Sequence, residues 1–364
     1  MDRPSRSSRS CRCAGRFVVA TSALALVASG CSTGTEPEPN VAASVETVSD
    51  VEPVTVVATT SILGDVVEQL VGEDGTVTVL MGPGVDPHGY APSARDAATM
   101  READLVVANG LQLEESLVST LEATEDEGVP VFELAPLVDP LAYELAGTHD
   151  DEDEHGHADE HGHEDDHADE DDHAADAHGP EDPHVWFDPE RMAAGVELLA
   201  AELATVAPQV AAAEWETRGA AYAAEIRAVD AELAAAFADV PTERRVIVTN
   251  HDSLGYLAAR YDLEVVGTVI PGSSTQAEAD PRGFSELVAT VEAEGIEVIF
   301  AENTDSVRLA EQLASEVIGR SDLEVEVVQV ATDALGEPGS PTGSYLGLLR
   351  ETGTTIAARL ARAG

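Results

Sequence analysis

The chain has 364 residues, long enough for two domains that each bury a core, and its 43% hydrophobic but only 4% aromatic content means interiors built from Val, Leu, Ile and Ala. Acidic residues number 70 against 19 basic ones, a formal net charge of −51. Such a chain repels the phosphates of nucleic acid, which excludes that partner, and its field concentrates cations.

Residues 1–30 are expected to lie outside the fold. Arg3, Arg6, Arg9, Arg12 and Arg16 form a basic leader, and 17–28 are an apolar run too short to span a bilayer, together a secretory signal. The leader ends Val27-Ala28-Ser29-Gly30-Cys31, which resembles the lipobox of bacterial lipoproteins, with Ala28 where Leu is usual. In that family the Cys becomes residue one and carries acyl chains, so Cys31 is the expected lipid attachment; the alternative is an ordinary signal with an incidental Cys. Cleavage there leaves Cys31 as the only cysteine, which excludes a disulfide framework and a thiolate metal site. Residues 31–53, rich in Glu, Pro, Ser, Thr and Val without helical periodicity, are expected to be a disordered tether.

From residue 54 the pattern alternates between short β-branched runs and apolar positions at helical spacing. Strands are expected over 54–58, 76–81, 105–108 and 129–134, and helices over 62–71, 93–102 and 114–123. This predicts an α/β fold with a parallel sheet flanked by helices, where ligands bind beyond the carboxyl ends of strands. Gly and Pro keep 82–90 a loop, so His88 is displayed rather than packed. Residues 147–180 are Asp, Glu, His and Ala without apolar periodicity, and predict a disordered loop within a first lobe spanning 54–188. Its His149, His155, His157, His161, His163, His167, His173 and His178 suit a weak cation collector, since neutral imidazole ligates zinc well; a solvated acidic insertion is the alternative.

Asp188-Pro189 is a strong helix start, Asp as N-cap and Pro in the first turn. One helix is expected to about residue 206 and a long one after Pro208 to about 237, with Trp215, Tyr222, Ile226, Leu233 and Phe237 as its apolar contacts. Connecting helices over 189–240 thus lead to a second lobe over 241–364. There strands are expected at 244–249, 264–270, 297–301 and 325–330, with helices between them and a last helix over 343–361.

Of 11 histidines, eight fall in the acidic loop, which leaves His88, His184 and His251 in sequence that reads as folded. Each follows a strand or sits in a Pro-bounded loop. With Asp333, after the last strand, they make a four-ligand set for a tetrahedral divalent ion. Taken singly, a histidine is more often a hydrogen-bonding residue than a ligand, and Asp333 alone would serve as a turn cap; the joint pattern carries the inference.

Four segments then converge on one family. Gly84-Val85-Asp86-Pro87-His88-Gly89-Tyr90, Asp182-Pro183-His184-Val185-Trp186-Phe187-Asp188-Pro189, Thr249-Asn250-His251-Asp252-Ser253-Leu254-Gly255-Tyr256 and Thr332-Asp333-Ala334-Leu335-Gly336 resemble the ligand motifs of the zinc and manganese solute-binding lipoproteins of bacterial ABC transporters. The histidine-rich loop before the second motif resembles the zinc branch. Ala91 departs from the Glu common in the family, and Arg95 from a small or polar residue, neither at a ligand position. The resemblance implies two α/β lobes joined by one long rigid helix, metal in the cleft, and delivery to a permease and its ATPase by a membrane-anchored monomer.

The manganese branch tends to carry a carboxylate where this chain has His251, so three nitrogens and one carboxylate favour zinc, with manganese as the alternative. Glu302, ending a neighbouring strand, is the candidate for orienting an imidazole; a surface carboxylate is the other reading. Two other functions stand as alternatives: a surface adhesin or metal buffer, and a zinc hydrolase. The hydrolase lacks the H-E-x-x-H signature and a free coordination position, so an enzyme is not expected.

Overall fold

A computed structural model describes residues 52–143, 181–272, 274–277, 281–304 and 307–362. The leader over 1–30, Cys31, nearly all of the tether and the histidine-rich stretch over 147–180 lie outside the described residues.

The first half contains β1 (Val54–Ala58), α1 (Ser61–Val71), β2 (Gly75–Val79), α2 (Ala94–Arg101), β3 (Leu105–Ala108), α3 (Val118–Asp126) and β4 (Val131–Glu133). Its four strands form a wholly parallel sheet in the order β2-β1-β3-β4, with Val56 opposite Val77 on one side and Leu105 on the other. The second half repeats the plan with β5 (Val246–Thr249), α6 (Gly255–Tyr261), β6 (Glu264–Thr268), α7 (Pro281–Glu294), β7 (Val298–Glu302), α8 (Arg308–Arg320) and β8 (Glu326–Val330), ordered β6-β5-β7-β8 and again parallel. Central strands such as β3 and β7 are buried at every residue, as a sheet covered on both faces requires.

In each sheet the first strand lies between the second and third, so the chain leaves it first to one side and then to the other. A crevice opens at the carboxyl ends of the neighbouring pair, β1 with β3 and β5 with β7. Thr59 and Asn109 sit in the first crevice; Asn250, His251 and Glu302 sit in the second.

Between the sheets run α4 (Pro189–Val206) and α5 (Ala212–Ala238), and α9 (Tyr345–Arg362) closes the chain. Asp188 caps α4 as expected, accepting from the backbone N–H groups of Glu190 (3.0 Å) and Arg191 (3.3 Å), with Pro189 behind it. The 27 residues of α5 extend about 40 Å at about 1.5 Å per residue. Its buried stripe, Trp215, Gly219, Tyr222, Ala223, Ile226, Val229, Leu233 and Phe237, follows the helical repeat and contains all five contacts expected from the sequence. Along it α5 packs on α1 of the first half and α9 of the second. The connection is more than one helix: α4 lies antiparallel on α5 so closely that a Cβ on Gly219 would come within 2.7 Å of the Ala200 Cβ. One apolar cluster runs unbroken from β1, β3 and α1 through α4 and α5 to β5, α6 and α9. The two halves therefore share a core, and α5 acts as a stiff strut within it.

The expected helix from 114 begins instead at Val118. Glu114 turns its carboxylate inward to accept from the backbone N–H groups of Asn109 (2.8 Å) and Gly110 (3.2 Å), and Leu111 and Gln112 adopt positive φ to allow it. A buried side-chain anchor here displaces the first helical turn. Strand and helix ends elsewhere shift by one to three residues, as hydrogen-bonded boundaries do. Among the described residues no helix is long and apolar enough to cross a membrane.

Candidate metal centre

His88 projects from the loop after β2, His184 from the turn before α4, His251 from the end of β5 and Asp333 from the segment after β8. All four are at most 3% exposed. One ligating atom from each lies within 4.8 Å of the others. The Nε2 atoms of His184 and His251 are 3.3 Å apart, and each Nε2 lies about as near the carboxylate, 3.9 Å from His184 to Asp333 Oδ1 and 4.0 Å from His251 to Asp333 Oδ2. A tetrahedral zinc ion with bonds of about 2.0–2.1 Å needs donors about 3.3 Å apart. The imidazole pair already meets that spacing, and the carboxylate requires a contraction of about 0.7 Å.

Both ring nitrogens of His88 and the Oδ1 of Asp333 are buried without a hydrogen-bond partner. Orphaned polar atoms cost free energy in a protein interior, and a His88 ring nitrogen close to Asp333 Oδ1 marks where a cation would offset that cost.

Each of the other donors is held from behind. His184 Nδ1 lies 2.7 Å from Asp182 Oδ1, the same oxygen that accepts from the His184 backbone N–H at 2.9 Å. That contact makes Nδ1 the protonated nitrogen and turns the Nε2 lone pair into the site. The same kind of contact keeps the Nδ1 proton of His251 in place once its ring is neutral. Its Nδ1 abuts Glu302 Oε2, while Glu302 Oε1 accepts from the His251 backbone N–H at 3.0 Å. Asp333 Oδ2 accepts from the hydroxyls of Thr332 (2.9 Å) and Thr304 (3.1 Å), which leaves Oδ1 facing the imidazoles. Glu302 is thus placed against both the ring and the backbone N–H of His251. In the first motif Asp86 Oδ1 accepts from the His88 backbone N–H at 2.9 Å, so Asp-Pro-His folds the same way twice.

Burial sets the electrostatics. It is the largest influence on His88 and His184, with neighbouring imidazoles adding to it, and both are pulled down to about 3. Each is therefore neutral at pH 7, as ligation demands. Burial also depresses His251, but Glu302 and Asp333 outweigh it and lift the group to about 9. Burial raises Asp333 against the pull of His251, and raises Asp182 to about 7.

Sequence reasoning missed Asp182, Asn109 and Glu114. Asn109 Nδ2 donates to the Pro183 carbonyl at 2.9 Å and so pins the His184 turn to the first crevice. Glu114, buried, holds Asn109 and accepts from the Thr59 hydroxyl at 2.6 Å. The repeated Asp two residues before a His was a signal for Asp182. For Asn109, 74 residues from Pro183 in sequence, there was none. Trp186 donates from Nε1 to the Thr332 carbonyl (2.9 Å) and Tyr345 donates its hydroxyl to the Trp186 carbonyl (2.8 Å), which ties the His184 turn to the Asp333 segment. The stretch containing the eight loop histidines lies outside the described residues, but its roots are visible: Ala142 pairs antiparallel with Glu181, two residues from Pro183.

The chain is similar to known proteins over most of its described length. It is 30% identical over 309 residues to the zinc-binding protein TroA of Treponema pallidum, covering 84% of this chain and 89% of that one. Against the manganese-binding lipoprotein MntA of Bacillus subtilis the identity is 27%, over 83% of this chain and 88% of the relative. The solved structure of the Treponema pallidum periplasmic zinc-binding protein TroA superposes with a TM-score of 0.71 at 28% identity, covering 85% of this chain and all of that one. The model of one family, described as zinc-uptake complex component A, periplasmic, matches residues 56–359. With its paired parallel sheets, and with four motifs brought to one point, the chain belongs to the family of zinc-uptake complex component A.

Proposed function

We propose that this protein is an extracytoplasmic receptor that captures zinc(II) between its two lobes and delivers it to the permease and ATPase of an ABC transporter. The observation that carries the reading is the convergence of three imidazole nitrogens and one carboxylate oxygen, all buried, of which one His88 ring nitrogen and Asp333 Oδ1 have no other hydrogen-bond partner. His88, His184, His251 and Asp333 are the proposed ligands, and Asp182 and Glu302 orient two of them. The similar proteins carry names for both zinc and manganese, so relatedness alone does not choose the metal. The donor set does favour one: manganese prefers a larger share of oxygen, and a nitrogen-rich tetrahedron suits zinc. Four protein donors fill such a site and leave no position for an activated water, so these residues support capture and release rather than hydrolysis.

The rest of the proposal concerns the setting. The lobes span 54–188 and 241–364, joined by the helices of 189–240; the leader over 1–30 exports the chain; Cys31 anchors it as a monomer; and the loop histidines gather cations beside the cleft. The deep burial of the ligands supports a tight site and argues for opening of the cleft on release.

Calorimetry on the purified chain tests the reading. One zinc ion should bind with a dissociation constant below about 1 μM, equivalent to about 8 kcal/mol. That event should vanish in the His88→Ala, His184→Ala double variant. Binding no tighter than about 1 mM, or unchanged in the double variant, would refute it.

A further inference from the structure

The four donors are not equally supported. His184 leans on Asp182, His251 on Glu302 and Asp333 on two threonines, but neither ring nitrogen of His88 meets a protein partner. What fixes His88 is its backbone, through Asp86 Oδ1. Asp86 in turn reaches the other lobe: its Oδ2 accepts from the Thr275 hydroxyl at 2.6 Å and, at a long 3.5 Å, from Gln276 Nε2. A single carboxylate therefore joins the backbone of a first-lobe ligand to a second-lobe loop 189 residues away in sequence. Among the described residues this loop also meets the second lobe through its backbone, where the Gly84 N–H donates to the Leu335 carbonyl at 3.0 Å.

Resting on the metal-capture reading, we propose that Thr275 is a positioning residue for His88: through Asp86 it clasps the His88 loop across the cleft and so sets how fast the bound ion leaves. Because the His88 ring has no bracing of its own, motion of its loop is the easiest route to breaking one metal bond. The Thr275 hydroxyl restrains that motion. Removing it leaves Asp86 still bonded to His88 but tied to the second lobe only by the long Gln276 contact. A hydrogen bond to a charged acceptor at a partly exposed site corresponds to about a tenfold effect. Thr275 touches no ligand atom, so the effect belongs to release kinetics and not to the identity of the donor set.

The test loads the full chain with one equivalent of zinc and follows transfer to an excess of chromogenic chelator by stopped flow. Thr275→Val should speed release about tenfold, and Thr275→Ser, which keeps the hydroxyl, should restore slow release. In an Asp86→Ala background, which already releases faster, Thr275→Val should add nothing, since the clasp is gone. An unchanged rate in Thr275→Val overturns the inference. So does a Thr275→Ser rate as fast as Thr275→Val, or the same tenfold acceleration in the Asp86→Ala background. Should Thr275→Val fold poorly by circular dichroism, Thr275→Ala is read against the same Ser control. A wild-type chain that holds no zinc refutes the capture reading itself and this inference with it, whereas tight zinc with indifferent Thr275 variants refutes the clasp alone.

Discussion

Asp182 and Glu302 back two of the imidazoles in different ways, and the difference predicts opposite outcomes for the same conservative change. Asp182 uses one oxygen, Oδ1, for both the backbone N–H and the Nδ1 of His184. An asparagine can place its carbonyl oxygen there and keep both bonds. Glu302 uses two oxygens for two donors, Oε1 for the His251 backbone N–H and Oε2 for the ring Nδ1. A glutamine has only one acceptor. Whichever way its amide turns, an N–H group confronts either the backbone donor or the ring, and in the second case the ring must shift its proton to Nε2, which blocks the metal. Loss of such a supporting partner costs about 10–100-fold in metal affinity, or about 1.4–2.7 kcal/mol. Glu302→Gln should fall in that range, and Asp182→Asn should stay within about threefold of wild type. Competition against a chelator of known affinity measures both. The comparison is cleanest near pH 9, because below that the same glutamine also relieves the proton competition that Glu302 imposes on His251. Equal losses in the two variants, or a larger loss in Asp182→Asn, would refute the reasoning.

Other expectations follow from the same geometry. His251 is raised to about 9 and is protonated below that, so zinc must displace its proton; affinity should fall about tenfold per pH unit from pH 9 to pH 7, with about one proton released at neutral pH, read by calorimetry in buffers of different ionisation enthalpy. His88 and His184, held near 3, should add nothing to that slope in this range. His88→Ala removes two buried unpartnered nitrogens, so metal-free stability should change by no more than about 1 kcal/mol even as zinc affinity collapses. His251→Ala instead strips a buried carboxylate of its ring partner and should cost about 3 kcal/mol in denaturant melts of the metal-free chain. Gly219→Ala forces a methyl to within 2.7 Å of Ala200 and should destabilise the helix pair by about 1–3 kcal/mol without altering the metal donors.

Much of the fold was legible because its signals are local. The β-branched runs at 54–58 and 105–108, the Asp188-Pro189 cap and the apolar repeat from Trp215 to Phe237 each specify an element from neighbouring residues alone. The donors were legible for a related reason: Gly and Pro around His88, and prolines on both sides of His184, rule out burial in a regular element, and strand-end positions are where α/β folds display side chains. What escaped was whatever depends on pairs distant in sequence. Glu114 read as the first turn of a helix because nothing adjacent reveals that its carboxylate anchors Asn109 and Thr59. Asn109 carried no signal of its role, since its contact with Pro183 exists only once the first crevice closes over the His184 turn. Thr275 sat in a loop with no motif at all. Both connecting helices were legible from their spacing, but the close packing of α4 on α5 was not, since it depends on Gly219 meeting Ala200.

The central claim is that four side chains from distant parts of the chain share one ion. Anomalous diffraction at the zinc edge from crystals grown with one equivalent of zinc tests it most directly. A single peak should lie about 2.0–2.2 Å from one nitrogen each of His88, His184 and His251 and from Oδ1 of Asp333. A zinc peak elsewhere, with those four side chains unliganded, would contradict the account.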